Sequence, residues 1–224
     1  MWPEAVPPLE AEAGAALSLL AASAEAGATI VGIGTYTNLA LLAATRPALA
    51  ASTRFVLLGG YLGPPADGLP QWPPEIDWNV QQDQVASRVL LTRCRPTLVP
   101  LGASLRVHLR AADLPSLETG GPLPRLLARQ ARAHARMYGM EELGLRHAAL
   151  PDDLQNFQYD PLACAVAVGW SGAKVEEVRI SIEEQDGWIW QRPDPGGSLR
   201  LPVVTAVDGE AFRRHWLETV LSLR

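Results

Sequence analysis

Apolar and polar positions along the first hundred residues predict an alternation of helices and buried strands. Apolar runs without polar alternation predict three strands that are covered on both faces, at 29–34, 54–58 and 96–101. Helical spacing of apolar residues predicts three helices, over 9–26, from 37 to the region of Pro47, and over 82–92. This order is typical of an α/β fold, in which a parallel sheet carries helices on both faces.

Oxygen-bearing side chains stand where several helices are predicted to begin. Thr37 or Asn38 is expected to cap the second helix. Asp83 is expected to cap the third helix, and Asp208 a last amphipathic helix that runs to Leu223.

The second half of the chain changes character. Two further helices are predicted, a basic one over 123–138 and a short apolar one over 161–170. The stretch between them, 140–157, is expected to be rich in loops. Alternating residues predict a small antiparallel C-terminal element, with strands at 174–183, 188–190 and 203–207. With neither internal repeats nor a linker, 1–224 is expected to form a single domain.

Composition and charge exclude several classes of protein. Apolar residues make up 48% of the 224 residues, which is enough for a buried core and excludes a disordered or fibrous chain. Lys and Arg number 19 and Asp and Glu 24, so the net charge is 19 − 24 = −5. This balance argues against nucleic acid or an anionic membrane as a partner.

Cysteine usage and the N-terminal residues indicate a compartment. Cys94 and Cys164 lie far apart and outside any CxxC pair, so they are expected to be small buried side chains in a reducing environment. The first residues lack the basic and apolar regions of a signal peptide, and no apolar stretch is long enough to cross a membrane. A cytoplasmic protein is expected.

A long loop at 61–79 follows Gly59 and Gly60 at the end of the second strand, which is where ligands bind in parallel sheets. In an extended conformation, Glu75, Asp77 and Asn79 would project to one face and present two carboxylates and an amide to sugar hydroxyls. The alternative is that these polar residues only cap turns and the helix that follows.

Asp160, directly before Pro161, is open to two interpretations. It either caps a helix that has proline at its first position, or points its carboxylate toward a hard cation. Other catalytic patterns are missing from the sequence, among them a P-loop, a GxGxxG fingerprint, a GxSxG elbow and closely spaced histidines.

Taken together, these segments resemble the inosine–uridine preferring nucleoside hydrolase family. The similarity follows the family's order over nearly the whole chain. It lies in four segments and in the ending around 205–212: Thr-Asn-Leu-Ala at 37–40, Gly-Gly at 59–60, Asp-Trp-Asn-Val at 77–80 with Asp83, and Tyr-Asp-Pro-Leu-Ala at 159–163.

The resemblance implies hydrolysis of the N-glycosidic bond of ribonucleosides with the help of bound Ca²⁺. It places the backbone carbonyl of Ile33 and the carboxylate of Asp160 on the metal. It places the ribose hydroxyls on Asp77 and Asn79, with Gln71 at the position of a further amide. Tyr159 stands where many members carry a histidine that helps the leaving base.

One family feature is missing from this sequence. The family begins with an Asp-x-Asp-x-x-x-Asp-Asp cluster that supplies metal ligands and the catalytic base, whereas the first aspartate here is Asp67. We therefore expect a truncated chain that lacks the N-terminal strands, binds Ca²⁺ weakly or not at all, does not hydrolyse nucleosides alone, and has no assignable catalytic residue. The alternatives are a non-catalytic protein that binds ribose or nucleosides, and a subunit that needs a separate N-terminal chain or a second copy of itself.

Overall fold

The computed structural model describes residue 7 and residues 9–223. Its eight strands are β1 (Ile30–Gly32), β2 (Phe55–Leu58), β3 (Thr97–Val99), β4 (His108–Arg110), β5 (Leu154–Phe157), β6 (Ala173–Gln185), β7 (Trp188–Pro193) and β8 (Leu199–Val207).

Eleven α-helices are found in the same part of the chain. They are α1 (Ala15–Glu25), α2 (Thr37–Thr45), α3 (Pro47–Ser52), α4 (Trp78–Gln81), α5 (Gln84–Arg93), α6 (Leu101–Ser104), α7 (Leu114–Glu118), α8 (Pro122–Tyr138), α9 (Met140–Arg146), α10 (Tyr159–Ala167) and α11 (Gly209–Ser222).

Six strands form one sheet in the order β1-β2-β3-β8-β6-β7. The first four run parallel, and β6 is antiparallel to both β8 and β7. This confirms the predicted α/β class, a mostly parallel sheet with a small antiparallel C-terminal element. β4 and β5 pair separately as a two-stranded antiparallel sheet. These two short strands were not predicted, and α9 and β5 occupy much of the stretch that was expected to be loop.

The packing of β2 explains why its apolar run does not alternate. All four of its residues are buried. Phe55 and Leu57 belong to the core formed with α1, α2 and α5, whereas Val56 and Leu58 belong to the core formed with α10 and α11. A strand between two helical layers must be apolar on both faces. The end of β2 is thereby held rigidly, and the loop that carries the candidate residues starts there.

Two predictions about helix starts are wrong. The first helix begins at Ala15 instead of residue 9, because Gly14 adopts a left-handed conformation (φ 83°) and residues 9–13 are exposed. The second helix is preceded by Tyr36, and neither Thr37 nor Asn38 caps it. The Thr37 hydroxyl donates instead to the Asp83 carboxylate at 2.6 Å.

Two other predicted caps are confirmed. Asp83 accepts a hydrogen bond from the backbone N–H of Ala86 at the start of α5. Asp208 accepts one from the N–H of Ala211 at the start of α11. Each satisfies a backbone donor that the first helical turn leaves free.

Gln81 joins the candidate-site segment to the far edge of the sheet. Its side chain is buried, and its amide nitrogen donates to the carbonyls of Ile189 (2.8 Å) and Pro74 (3.2 Å). Its amide oxygen accepts from the Ile189 N–H at 3.0 Å. One side chain therefore satisfies three backbone groups of β7 and of the turn before α4.

We expect Gln81→Ala to lower the free energy of unfolding by about 2–3 kcal/mol, because buried backbone groups lose their partners. Urea unfolding at neutral pH measures this. The matched control is Gln84→Ala, which removes a single exposed hydrogen bond to Gly187 and is expected to cost under about 1 kcal/mol. Equal losses in the two variants would contradict the proposed importance of Gln81.

Candidate functional site

A cavity of about 200 Å³ lies beyond the carboxyl ends of β1 and β2. Ile33 follows β1, Leu58 is the last residue of β2, and Gly59 follows it. The opposite wall comes from the first residues of α10, Tyr159 and Asp160. In open α/β sheets this is the position at which ligands bind.

The cavity brings together five of the six residues that the family resemblance placed at the site: Ile33, Asp77, Asn79, Tyr159 and Asp160. The rest of its lining is apolar side chains and one glycine: Leu58, Gly59, Trp72, Ile76, Trp78 and Leu101.

Gln71 is not among the residues that line the cavity. Its amide nitrogen lies within 3.2 Å of three carbonyl oxygens of its own loop, those of Pro65, Ala66 and Leu69. The structure therefore shows Gln71 as a residue that holds the proline-rich loop in shape.

Asp77 lies at the N-terminus of α4. Residues Pro74–Ile76 form a single 3₁₀ turn, so the expected extended segment with Glu75, Asp77 and Asn79 on one face is wrong. The Asp77 carboxylate accepts a hydrogen bond from the Val80 N–H at 3.3 Å, as in the alternative in which it caps a helix. Its second oxygen accepts from the Gly60 N–H at 2.5 Å. Asp77 therefore ties the end of β2 to α4.

Burial controls the protonation of Asp77. The residue is 2% exposed, and this desolvation raises its pKa from the ordinary 3.8 to about 6. The N–H groups of Gly60 and Val80 favour the charged form and lower the pKa, but their effect is smaller. Asp77 is thus a buried carboxyl that titrates near pH 6.

The two glycines after β2 are required by their surroundings. Gly59 has φ 142° and Gly60 has φ 116°, both in a region that favours glycine. A Cβ on Gly59 would lie 2.5 Å from the Tyr36 hydroxyl and 3.1 Å from Asp77 Oδ1. A Cβ on Gly60 would lie 2.9 Å from the side-chain oxygen of Gln191. Because glycine has no side chain, polar groups of Tyr36, Asp77 and Gln191 approach the backbone closely at these two positions.

The carbonyl of Leu58 accepts hydrogen bonds from two side chains. The Tyr36 hydroxyl donates at 2.7 Å and the Asn79 amide at 2.9 Å. Tyr36 is fully buried, and its pKa is raised by burial and by the nearby Asp77, so it acts here as a hydrogen-bond donor. Sequence reasoning missed Tyr36, because it lies 22 residues from Leu58 in the chain and only the fold brings the two together.

The Asp160 carboxylate, unlike that of Asp77, is available to bind a ligand. It lies in the first turn of α10 without capping the helix, because the helix already starts at Tyr159; the predicted cap is wrong. The residue is exposed, and among residues 9–223 no hydrogen bond or ion pair engages its carboxylate. Desolvation of the part of the side chain that faces the protein raises its pKa.

An aromatic cluster stands behind Tyr159. The Phe157 ring stacks on Tyr159 with centroids 5.2 Å apart, and meets Trp72 edge-on at 5.8 Å and His108 at 5.6 Å. Tyr159 is largely buried, and this raises its pKa above the ordinary 10, so its hydroxyl stays protonated. Trp72 and Phe157 were not predicted as site residues. Their only signal was that they are large aromatic side chains close to candidate motifs.

The donor groups at this cavity do not by themselves suit Ca²⁺, which binds six to eight oxygens. The described lining offers the Asp160 carboxylate, the Ile33 backbone carbonyl and the Asn79 side-chain oxygen, which are too few, while both oxygens of Asp77 already accept backbone hydrogen bonds. Across the described part of the chain, nowhere do three His, Cys, Asp or Glu side chains group in a way that would hold a metal ion.

A larger cavity of about 530 Å³ lies elsewhere, between the proline-rich loop and the start of α11. Its lining includes Arg106, His108, Arg110 and Glu210, and none of the residues predicted as ligands. Volume alone therefore does not identify the functional site, and the smaller cavity at the strand ends carries the candidate chemistry.

Comparison with known proteins gives a family and several relatives. The model of the inosine-uridine preferring nucleoside hydrolase family matches residues 2–214. A pyrimidine-specific ribonucleoside hydrolase, RihA of Salmonella paratyphi A, is 28% identical over 152 residues, which are 65% of this chain and 47% of the relative. RihA of Klebsiella pneumoniae is 29% identical over 127 residues, 55% of this chain and 39% of the relative. The chain spans about half the length, or less, of these curated relatives.

Solved structures share the fold. A purine-preferring ribonucleoside hydrolase from Gardnerella vaginalis superposes with a TM-score of 0.77 at 20% identity, covering 99% of this chain and 70% of that one. A plant nucleoside hydrolase gives a TM-score of 0.72 at 18% identity, covering 92% and 67%. At these identities the likeness is one of architecture. Among the helices described, none has the length and apolar character needed to span a bilayer.

Proposed function

Because this chain belongs to the inosine-uridine preferring nucleoside hydrolase family, we propose that it binds ribonucleosides through their ribose and that it does not hydrolyse them on its own. The observation that carries this proposal is the cavity at the strand ends, which gathers Asn79, Tyr159 and Asp160 around Leu58 and Gly59. The position of this cavity in the sheet supports it further.

Ribose presents neighbouring hydroxyl groups, each of which donates one hydrogen bond. The free Asp160 carboxylate accepts from one of them, and the Asn79 side-chain oxygen is left for another since the amide nitrogen is held by Leu58. Asp77 is buried and each of its two oxygens accepts a backbone N–H, so it positions the helix that carries Asn79. Fixed donors and acceptors of this kind orient a sugar at low entropic cost.

Cleavage of the glycosidic bond requires catalytic groups in addition to those that bind the ribose. The ribosyl group passes through an oxocarbenium-like state, which needs negative charge close to the ring and a base that activates water. Of the two carboxylates at the cavity, Asp77 is engaged with the backbone and Asp160 lies at the wall next to Tyr159. The Tyr159 hydroxyl is able to donate a hydrogen bond to a ligand, but its raised pKa makes it a weak acid toward a leaving base. We therefore propose that Ca²⁺ binds weakly, if at all, and that turnover is negligible for the chain alone.

The experiment that tests this proposal measures binding and turnover on one preparation. Isothermal titration with ribose, with Ca²⁺ and with EDTA, should give saturable binding in both conditions. Incubation with inosine and uridine should release no base above the uncatalysed rate. Catalytic release of base would overturn the proposed inactivity, and the absence of heat with ribose and with nucleosides would overturn the proposed binding.

Asn79→Ala is expected to weaken ribose binding about three- to tenfold, the range of one hydrogen bond. Its matched control is Asn38→Ala, an exposed asparagine on α2 away from the cavity, which should bind ribose like the unchanged protein. Far-ultraviolet circular dichroism checks that both variants fold. Equal affinities of the two variants would remove Asn79 from the ribose site.

A subunit role is a second candidate, supported by the edge of the sheet. Within the described strands, β1 forms one edge of the six-stranded sheet, and edge strands offer unpaired backbone groups to another chain. Ile33, which follows β1, and Ile76 and Trp78 at the cavity are exposed apolar side chains. Light scattering after gel filtration tests this role: a monodisperse monomer that unfolds cooperatively would count against both a partner chain and a homo-oligomer.

We also keep a cytoplasmic location as a proposal. Cys94 is buried as predicted, whereas Cys164 is exposed, so that part of the prediction is wrong. Both are free thiols, which suits a reducing compartment. Fractionation of cells that express the chain with a tag tests the location directly.

A further inference from the structure

The larger cavity, of about 530 Å³, has a wall of basic side chains. Arg106, His108 and Arg110 all line it. They alternate along the chain with Val107 and Leu109, which are buried in the core. Successive side chains of an extended chain project to opposite faces, and β4 occupies this segment. The alternation therefore places a row of three basic groups on one face, toward a single cavity.

Contacts on either side hold this row in place. The Nε of Arg110 donates to Asp153 Oδ1 at 2.7 Å, which leaves the terminal nitrogens of this guanidinium for a ligand. The Nε2 of His108 lies 2.8 Å from a backbone carbonyl oxygen. The backbone of Arg106 packs directly on the start of α11, because a Cβ on Gly209 would collide with the Arg106 carbonyl oxygen. The guanidinium of Arg106 is exposed and forms no ion pair with a carboxylate of the described residues.

Two of the three carboxylates that line the cavity are engaged elsewhere. Asp208 accepts from the Ala211 N–H at 2.9 Å, as the cap of α11. Glu210 accepts from Nε and Nη2 of Arg213 at 3.1 and 3.0 Å. Asp67, on the proline-rich loop, is exposed, and nothing in the described part of the chain bonds to its carboxylate. The cavity thus has available cationic groups on the strand wall and one available carboxylate on the loop wall.

These two walls suit a ligand that is anionic at one end and carries hydroxyl groups at the other. Guanidinium groups match the oxygens of a phosphate with paired, charge-assisted hydrogen bonds. An ionised carboxylate only accepts hydrogen bonds, so Asp67 suits a hydroxyl group and repels a second anion. The volume lies within the range of small-molecule sites and exceeds what a bare phosphate ion fills.

We propose that the larger cavity is a second ligand site, which binds a small phosphate monoester whose organic part carries hydroxyl groups. Arg106 and Arg110 hold the phosphate, and Asp67 accepts a hydrogen bond from a hydroxyl group. Among the residues described, none lines both this cavity and the strand-end cavity. The second site therefore does not depend on the proposed ribose binding.

Isothermal titration of the full chain with glycerol 3-phosphate tests the proposal, because this probe carries a phosphate and hydroxyl groups but no ribose. It should bind saturably and about three- to tenfold more tightly than inorganic phosphate, the range of one hydrogen bond. Arg106→Gln should weaken the binding of both anions at least about tenfold. The matched control, Arg136→Gln, removes an exposed arginine of α8 outside the cavity and should leave both affinities within about twofold.

A variant of the loop wall tests the hydroxyl contact. Asp67→Ala should bring the affinity for glycerol 3-phosphate to within about twofold of that for inorganic phosphate. Far-ultraviolet circular dichroism checks that all three variants fold.

The outcomes separate this inference from the proposed function. No saturable binding of either anion, or equal affinities of Arg106→Gln and Arg136→Gln, would overturn the second site. Inorganic phosphate bound as tightly as glycerol 3-phosphate by the unchanged protein would overturn the assignment to a phosphate monoester. Saturating ribose should leave the affinity for glycerol 3-phosphate unchanged, and competition between the two would contradict a separate site. A failure of ribose to bind would overturn the proposed function alone.

Discussion

Gly59→Ala is expected to lower the free energy of unfolding by more than about 3 kcal/mol, because two costs add at this position. The first is backbone strain, since a φ of 142° is rarely adopted by a residue with a side chain. The second is a collision, since the new methyl group would lie 2.5 Å from the Tyr36 hydroxyl and 3.2 Å from the Val80 side chain. The strand end, the N-terminus of α4 and the Leu58 carbonyl would all have to shift.

A matched glycine in the same loop separates the two costs. Gly63 has a similar φ of 138°, but a Cβ built there meets nothing within 4 Å. Gly63→Ala should therefore show strain alone and be at least about 2 kcal/mol less destabilising than Gly59→Ala in urea unfolding. Placing Gly59→Ala in a Tyr36→Phe background should make the combined loss smaller than the sum of the single losses, because the hydroxyl that collides is gone. Equal losses for the two glycines would contradict the close packing around Gly59.

The contribution of Asp77 to the stability of the protein should fall as the pH rises from about 4 to about 6.5. In the folded state burial raises the pKa of this carboxyl to about 6, whereas the unfolded chain has the ordinary value of 3.8. Between these two values the folded protein holds a proton that the unfolded chain has lost, so raising the pH favours unfolding. A difference of about 2 in pKa corresponds to about 3 kcal/mol, which is present below pH 4 and lost above pH 6.

Asp77→Asn isolates this effect, because an amide does not titrate over this range. At pH 4 the variant should be less stable, since it loses one acceptor for the Gly60 and Val80 N–H groups. The difference in unfolding free energy between the unchanged protein and the variant, measured in urea from pH 4 to pH 7.5, should shrink by about 3 kcal/mol as the pH rises. A difference that stays constant would show that Asp77 titrates with an ordinary pKa.

Much of the fold was predictable because buried parallel strands leave a strong pattern. The run at 55–58 is apolar at every position since helices cover both faces of β2, and this is visible without a structure. Asp83 and Asp208 were recognised as helix caps because that signal is local, one side chain and an N–H three residues later. The pair β4 and β5 was missed, since each strand is only three or four residues long.

The candidate site was predictable as a set of residues but not as a geometry. Asp77, Asn79 and Asp160 were predicted from their position after strands and from the segments shared with the family, and all three line the cavity. The Asp77 carboxylate accepts from the Gly60 and Val80 N–H groups because residues Pro74–Ile76 form a turn. The sequence of this segment fits an extended chain equally well, so the turn was not predicted. The contact between Trp72 and Phe157 joins residues 85 positions apart, which no local pattern reports.

The most direct test of ribose binding at the strand-end cavity is a nitrogen–proton correlation spectrum recorded while ribose is added. Saturable shifts are predicted for the side-chain amide of Asn79 and the backbone amides of Gly60 and Asp160, and none for the side-chain amide of Gln71. Shifts confined to the larger cavity, at Arg106 and Gly209, or no saturable shift at all, would contradict a ribose site at the ends of β1 and β2.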